Sequence, residues 1–299
     1  MKRIVLIGSV VIDEVHTFEG EVYTSFGGIT YTLIALAKLL PDHEIIPVTY
    51  IGESDYDRFI DFFRGFSNVN FEGVKLASAS NENILVYQSR EERIERFKFR
   101  TPAIKITDVY PFLDADAVYV NYIKNDDFSL ADLRSLSSAF REGIIYIDIH
   151  SLIRKVDEDG FFVPYYYQGW QALVGYADYL QLNEEEARFF TGFNFRNEEE
   201  LKNLVLVILL NGPRGVSVTL GSRGVIVGFR ESHGAFVESV GAPRVEVKDP
   251  TGCGDVYGAA FLKSILEGKS PVEAAKFAVE IASKKSTMSL EEFRDFPIN

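Results

Sequence analysis

Short apolar runs alternate along this chain with longer segments whose apolar residues fall at helical spacing, and the alternation predicts most of the elements. RIVLIG is followed by 29–40, EIIPVTYI by 55–64, AVYVNYI by 129–141, IIYIDI by 165–175 and ADYLQL by 184–191. Each pair reads as a buried strand and then a helix, which predicts an α/β fold with a doubly wound, mainly parallel sheet flanked by helices. GVSVTL with 224–239 and RVEVK with 255–267 continue the series. A closing helix over 271–284 opens on Ser270-Pro271-Val272-Glu273, a capping box with proline in the first turn.

Two regions break the pattern. Residues 11–24 and 71–100 read as extended ribbons, the second with ILVYQ, the charged turn SREER and then IERFKF. They predict a small β-sheet beside the main one. Arg90, Arg93, Arg96 and Lys98 could meet an anionic substrate, but they interleave with Glu91, Glu92 and Glu95 and read better as a self-paired, solvated face. With no linker, repeat or low-complexity segment, residues 1–299 are read as one domain. The 46% of apolar residues suffices for its core.

The chemistry concentrates at Asp249-Pro250-Thr251-Gly252-Cys253-Gly254-Asp255. Glycines at the mouth of an apolar helix let backbone N–H groups converge, and the helix's positive end adds to them, so the turn can hold an anion. A carboxylate beside such a site is repelled unless it has a task, and accepting a proton from an attacking hydroxyl is one. The competing reading is an ordinary N-cap by Asp255 and Thr251. The chain has no Walker-type loop, and Gly252 to Gly258 is one residue too long for the dinucleotide fingerprint. Cys253 at the helix start could be read as a nucleophile, but no histidine lies near it in sequence, and packing is the preferred role.

Residues 249–255 resemble the C-terminal signature of the PfkB (ribokinase-like) family of small-molecule kinases, usually Asp-Thr-x-Gly-Ala-Gly-Asp. Gly27-Gly28 before an apolar helix, Asn183-Glu184-Glu185-Glu186 after YLQL, and Val218 to Gly224 resemble further family motifs in the expected order along nearly the whole chain. The resemblance implies an ATP-dependent kinase acting on a hydroxyl of a small carbohydrate or sugar-derived molecule. Asp255 would be the general base, with Gly252, Cys253 and Gly254 as the anion hole. Thr219, Gly221, Gly224 and Thr251 would meet ATP, and Asp13, Gly27, Gly28 and Thr32 the acceptor.

Asn183 and Glu186 would act near Mg²⁺ mainly through water; the same spacing fits a capping box. Asp249 would support a monovalent cation such as K⁺ or the phosphate loop, and reads equally well as a strand-end residue before Pro250. The small sheet would be a lid over the substrate and a candidate surface for a homodimer. Thr219 to Gly224 could equally be a plain β-hairpin turn.

Departures from the family pattern fall on the acceptor side. Thr32 stands where sugar kinases often have Asn, and Glu53-Ser54-Asp55-Tyr56-Asp57 and His150-Ser151-Leu152-Ile153-Arg154 replace expected motifs. Pro250 stands where Thr is usual. A nucleoside kinase of the same fold, or a catalytically silent ligand-binding homologue, are the alternatives.

Charge and composition narrow the partners. A net charge of −13 disfavours nonspecific binding to nucleic acid or anionic membrane. LVLVILL at 204–210 is too short to span a bilayer and the N-terminus has no cleavage site, so a cytoplasmic protein is expected. One cysteine allows no intrachain disulfide, and the histidines at 16, 43, 150 and 233 have no metal-ligand spacing.

Overall fold

The computed structural model describes residues 2–88 and 93–297, so Arg90, Glu91 and Glu92 of the charged turn lie outside the described residues. In chain order, the first half comprises β1 (Lys2–Ile7), β2 (Val10–His16), β3 (Val22–Gly28), α1 (Thr30–Leu39), β4 (His43–Gly52), α2 (Glu53–Phe62), β5 (Val74–Ala77), β6 (Asn81–Tyr87), β7 (Arg93–Lys98), α3 (Ile106–Val109), β8 (Ala117–Asn121), α4 (Leu130–Ala139) and β9 (Ile144–Asp148). There follow β10 (Arg154–Val156), β11 (Phe162–Pro164), α5 (Trp170–Val174), β12 (Tyr179–Asn183), α6 (Glu184–Thr191), α7 (Glu198–Leu210), β13 (Gly215–Thr219), β14 (Val225–Glu231), β15 (Gly234–Val240), α8 (Cys253–Leu266), α9 (Pro271–Lys285) and α10 (Leu290–Asp295).

Among the described residues the main sheet runs β15-β14-β13-β12-β9-β8-β1-β4-β5, parallel from β13 through β5 and antiparallel at β14 and β15. The parallel strands are apolar on both faces because helices cover both. In β1, Val5 and Ile7 join one core with α4, α6 and α7, while Ile4 and Leu6 join the other with α1, α8 and α9. The expected doubly wound fold is present.

A separate sheet, β3-β2-β6-β7, is built from the two ribbons. Its bounds differ from the expected ones: β5 pairs in parallel with β4 at the edge of the main sheet. The antiparallel pair β10-β11 reaches β7, where Phe97 N donates to Gly160 O and the Phe97 and Phe162 rings lie 4.0 Å apart.

Three element expectations are corrected. Residues 224–239 form the hairpin β14-β15, since Val225-Ile226-Val227 continue the sheet antiparallel to β13. Residues 165–175 are helical only over α5. RVEVK forms no strand, because nothing pairs with it; its Val245 and Val247 line a cavity, and Lys248 N is anchored on Ser286 O.

Candidate active site

The parallel strands bring their carboxyl ends together, and β8, β9, β12 and β13 end there on Asn121, Asp148, Asn183 and Thr219. Register puts Asn121 beside Asp148 and Asn183 beside Thr219. Open α/β sheets build their sites along such an edge. The glycine turn arrives there from the α8 side, so residues far apart in sequence line three adjoining cavities.

The first cavity, ≈ 430 Å³, is lined by Asp13, Gly27, Gly28, Asn83, Arg154 and Asp255 among others, with Tyr23, Tyr87 and Phe97 for its apolar wall. The second, ≈ 410 Å³, is lined by Asp148, His150, Asn183, Glu186, Gly254 and Asp255. The third, ≈ 490 Å³, is lined by Thr219, Gly221, Gly224, Val245, Cys253 and Gly254. Asp255 is shared by the first and second, and Gly254 by the second and third. The glycine turn therefore sits at the junction of all three.

No side chain caps α8, whose N-cap Gly252 is left-handed at φ 75°. The N-cap reading of Asp255 and Thr251 is thereby excluded, and the uncapped helix start faces the second cavity. Gly252 is required twice over, since besides its positive φ a Cβ there would enter the Tyr31 ring. Asp255 Oδ1 accepts from Thr32 Oγ1 at 2.8 Å and from Asn121 Nδ2 at 2.6 Å. Both donors meet on Oδ1, leaving Oδ2 as the oxygen for an incoming proton.

This changes the role expected of Thr32. Its hydroxyl is buried, donates to Asp255 and accepts from Asn121 Nδ2 at 2.9 Å, so it holds the carboxylate and does not line the first cavity. Asn121 was not legible in the sequence, because nothing local marks a strand-end Asn whose partners lie on α1 and α8. Gln181 was missed for the same reason: it donates to Asp148 Oδ2 at 2.9 Å and to Gly254 O at 2.8 Å, tying the sheet to the turn.

Around the first cavity, Asp13 Oδ1 accepts from Asn83 Nδ2 at 3.0 Å, and a Cβ at Gly27 would collide with the Asp13 carboxylate. Gly28, at φ 64°, turns β3 toward α1. Thr251, expected to meet ATP, lines this first cavity and not the third. Glu95 also lines it, whereas Arg96 and Lys98 face a different groove; of Arg93 only the backbone, at the start of β7, is described. His150 borders both the first and second cavities in a positive-φ conformation, and burial pushes its imidazole below the ordinary value.

Asn183 and Glu186 form the reciprocal capping box at the start of α6 that their spacing allowed, and both also line the second cavity. Burial pushes the Glu186 carboxyl up to about 7, with the Glu185 and Asp255 charges adding to it. Burial also raises Asp148 well above the carboxylate range, helped by the charges of Glu186 and Asp255. Thr219 to Gly224 is both the β13-β14 turn and part of the third cavity; a Cβ at Gly224, φ 101°, would strike Val240 O. Burial lifts the Cys253 thiol to about 11, which removes the nucleophile reading.

The sequence model described as "pfkB family carbohydrate kinase" matches residues 1–289. The chain belongs to that family. A ribokinase from Arabidopsis thaliana is 34% identical over 111 residues, a match covering 37% of this chain and 29% of that protein. The chain thus aligns with well under half the length of this curated relative. Among solved structures, a ribokinase from Thermotoga maritima superposes with TM-score 0.78 at 21% identity, covering 96% of this chain and 94% of that one. The Arabidopsis thaliana ribokinase complexed with ribose and ATP gives 0.76 at 19% identity, covering 99% and 100%. These likenesses establish the fold.

The ions expected from the family fit unequally. Two buried carboxylates with raised proton affinity beside Asp255 favour a hard divalent cation. No three His, Cys, Asp or Glu side chains among the described residues are grouped to hold a metal. A monovalent ion on Asp249 does not fit. The buried Lys285 ammonium already lies 3.1 Å from both Asp249 O and Asp249 Oδ2. Among the described residues, no helix is long and apolar enough to cross a membrane.

Proposed function

We propose that this chain is an ATP- and Mg²⁺-dependent kinase that phosphorylates a hydroxyl of a small carbohydrate or sugar-derived molecule. The observation that carries the reading is Asp255, whose carboxylate borders both the acceptor-sized cavity and the channel containing the uncapped α8 start. In that position it can take the proton of an acceptor hydroxyl as that oxygen attacks phosphorus.

Asp13 and Asn83, with the close backbone of Gly27 and Gly28, would hold acceptor hydroxyls. The N–H groups of Gly252 and Gly254, which line the second cavity, would stabilise charge on the transferring phosphoryl group, whereas the expected third donor, Cys253 N, is turned back onto Pro250 O at 3.2 Å. The third cavity, with apolar Val245 and Val247 beside Thr219 and Gly224, suits a nucleotide base and ribose. Mg²⁺, when bound, would neutralise phosphate charge, and Asn183 and Glu186 would orient its waters. Arg154, bordering both the acceptor and phosphate cavities, would add positive charge to an otherwise acidic site. The small sheet β3-β2-β6-β7 contributes Asp13, Asn83 and Glu95 to the first cavity and so would serve as the lid that excludes water.

The aromatic wall of the first cavity also favours a second reading, a nucleoside acceptor stacked on Tyr23, Tyr87 or Phe97. Phosphate transfer from ATP with Mg²⁺ should be followed over a panel of sugars, sugar acids, inositols and nucleosides. Transfer to a sugar-type acceptor supports the first reading and selective transfer to a nucleoside the second. ATP binding without transfer to any acceptor would favour a silent homologue.

A further inference from the structure

Lys285 ends α9 with its side chain fully buried, at 0% exposure. A lysine is almost never buried this far without a charge partner, because stripping water from an ammonium costs several kcal/mol. Its partner is Asp249, the first residue of the glycine turn, approached at 3.1 Å on the main-chain carbonyl and at 3.1 Å on the carboxylate. Two oxygens of one residue chelate a single positive charge.

The rest of the turn is built on this contact. Asp249 Oδ1 accepts from Thr251 N at 2.9 Å, bending the chain toward Gly252. Ser286, next to Lys285, accepts on its carbonyl from Lys248 N at 2.8 Å and Asp249 N at 3.0 Å. The Lys285 ammonium also lies 5.4 Å from the centre of the Tyr31 ring, and that ring closes on Gly252. Lys285, Ser286 and Tyr31 thus grip 248–252 from behind, while Gly252 and Gly254 line the second cavity in front. A free cation at this place would need the same two Asp249 oxygens, and the ammonium occupies them.

We infer that Lys285 is a tethered cation that holds the anion-binding turn in shape, so that donor binding and phosphoryl transfer in this protein are independent of K⁺ and Na⁺. Lys285 is a positioning residue acting through Asp249, and its charge behind the turn also favours the anion in front of it. The inference rests on the turn being the phosphate site proposed above.

The full-length protein should be titrated with KCl against tetramethylammonium chloride at constant ionic strength, following ATP affinity and melting temperature. The wild type is expected to show the same values in both salts. A saturable rise in either with KCl would overturn the inference. Lys285→Ala should bind ATP about tenfold more weakly in tetramethylammonium and recover as KCl is added, since K⁺ can enter the space the ammonium leaves. Loss of ATP affinity with no recovery in KCl would indicate a packing role only and overturn the inference. If Lys285→Ala does not fold, Lys285→Met takes its place in the affinity arm, and the wild-type titration still decides. Failure of the wild type to bind ATP in any salt would count against the kinase reading, while the melting curves would still report on the ion.

Discussion

Asn121 and Asp255, 134 residues apart, are joined by a 2.6 Å hydrogen bond from Nδ2 to Oδ1 that also draws in the Thr32 hydroxyl. A carboxylate held on one oxygen by two buried donors has its other oxygen aimed before any substrate arrives. Such preorganisation is what a general base needs.

Asp255→Asn removes the proton acceptor and keeps the shape. Transfer should fall by about 10²- to 10⁴-fold with ATP affinity and melting temperature little changed. Retained turnover would remove Asp255 from the mechanism.

Thr32→Val keeps the volume and removes one donor to Oδ1. The rate constant for transfer should drop by about tenfold to a hundredfold with ATP affinity unchanged. An unchanged rate constant would mean that Thr32 only packs.

Glu186 supplies a pH test of stability. Its carboxyl is pushed from the ordinary 4.5 to about 7 in the fold, so the folded state binds the proton more tightly than the unfolded chain. That contribution is fully present below pH 4.5 and is lost as pH rises through 7. Glu186→Gln should therefore be more stable than wild type at pH 8, by up to about 3 kcal/mol in urea unfolding without Mg²⁺, with the advantage shrinking toward pH 4. An advantage independent of pH would contradict this.

Gly252→Ala meets both a left-handed backbone and the Tyr31 ring. The substitution should destabilise the protein by about 2 kcal/mol or more and weaken ATP binding, whereas Gly254→Ala, whose Cβ would meet only Gln181 Nε2 at an ordinary 3.6 Å, should fold normally. Thermal melts of the two variants separate strain from simple loss of glycine.

Cys253 should resist alkylation. With its thiol lifted to about 11, the thiolate is scarce at neutral pH, and iodoacetamide at pH 8 should label the native protein far more slowly than the urea-unfolded chain.

Much of this could be read locally. The strand-and-helix alternation, the two ribbons, and the turn at 249–255 depend on periodicity and glycine spacing, which survive in one dimension. What misled was local too: 224–239 was expected as a helix because helices alternate with strands elsewhere, but β14 had a free edge of β13 to join. RVEVK alternates like a strand and has no partner strand.

The amino-acid sequence by itself determined the α/β architecture, the glycine turn before α8 and the family, because these rest on short-range patterns of apolar residues and glycines. Only the tertiary structure decided that Thr32 and Asn121 bond Asp255, that Gln181 ties Asp148 to Gly254, and that Lys285 pairs with Asp249. Each of these is a contact between elements distant in the chain. A buried charge or amide takes its role from the partner that satisfies it, and folding chooses that partner.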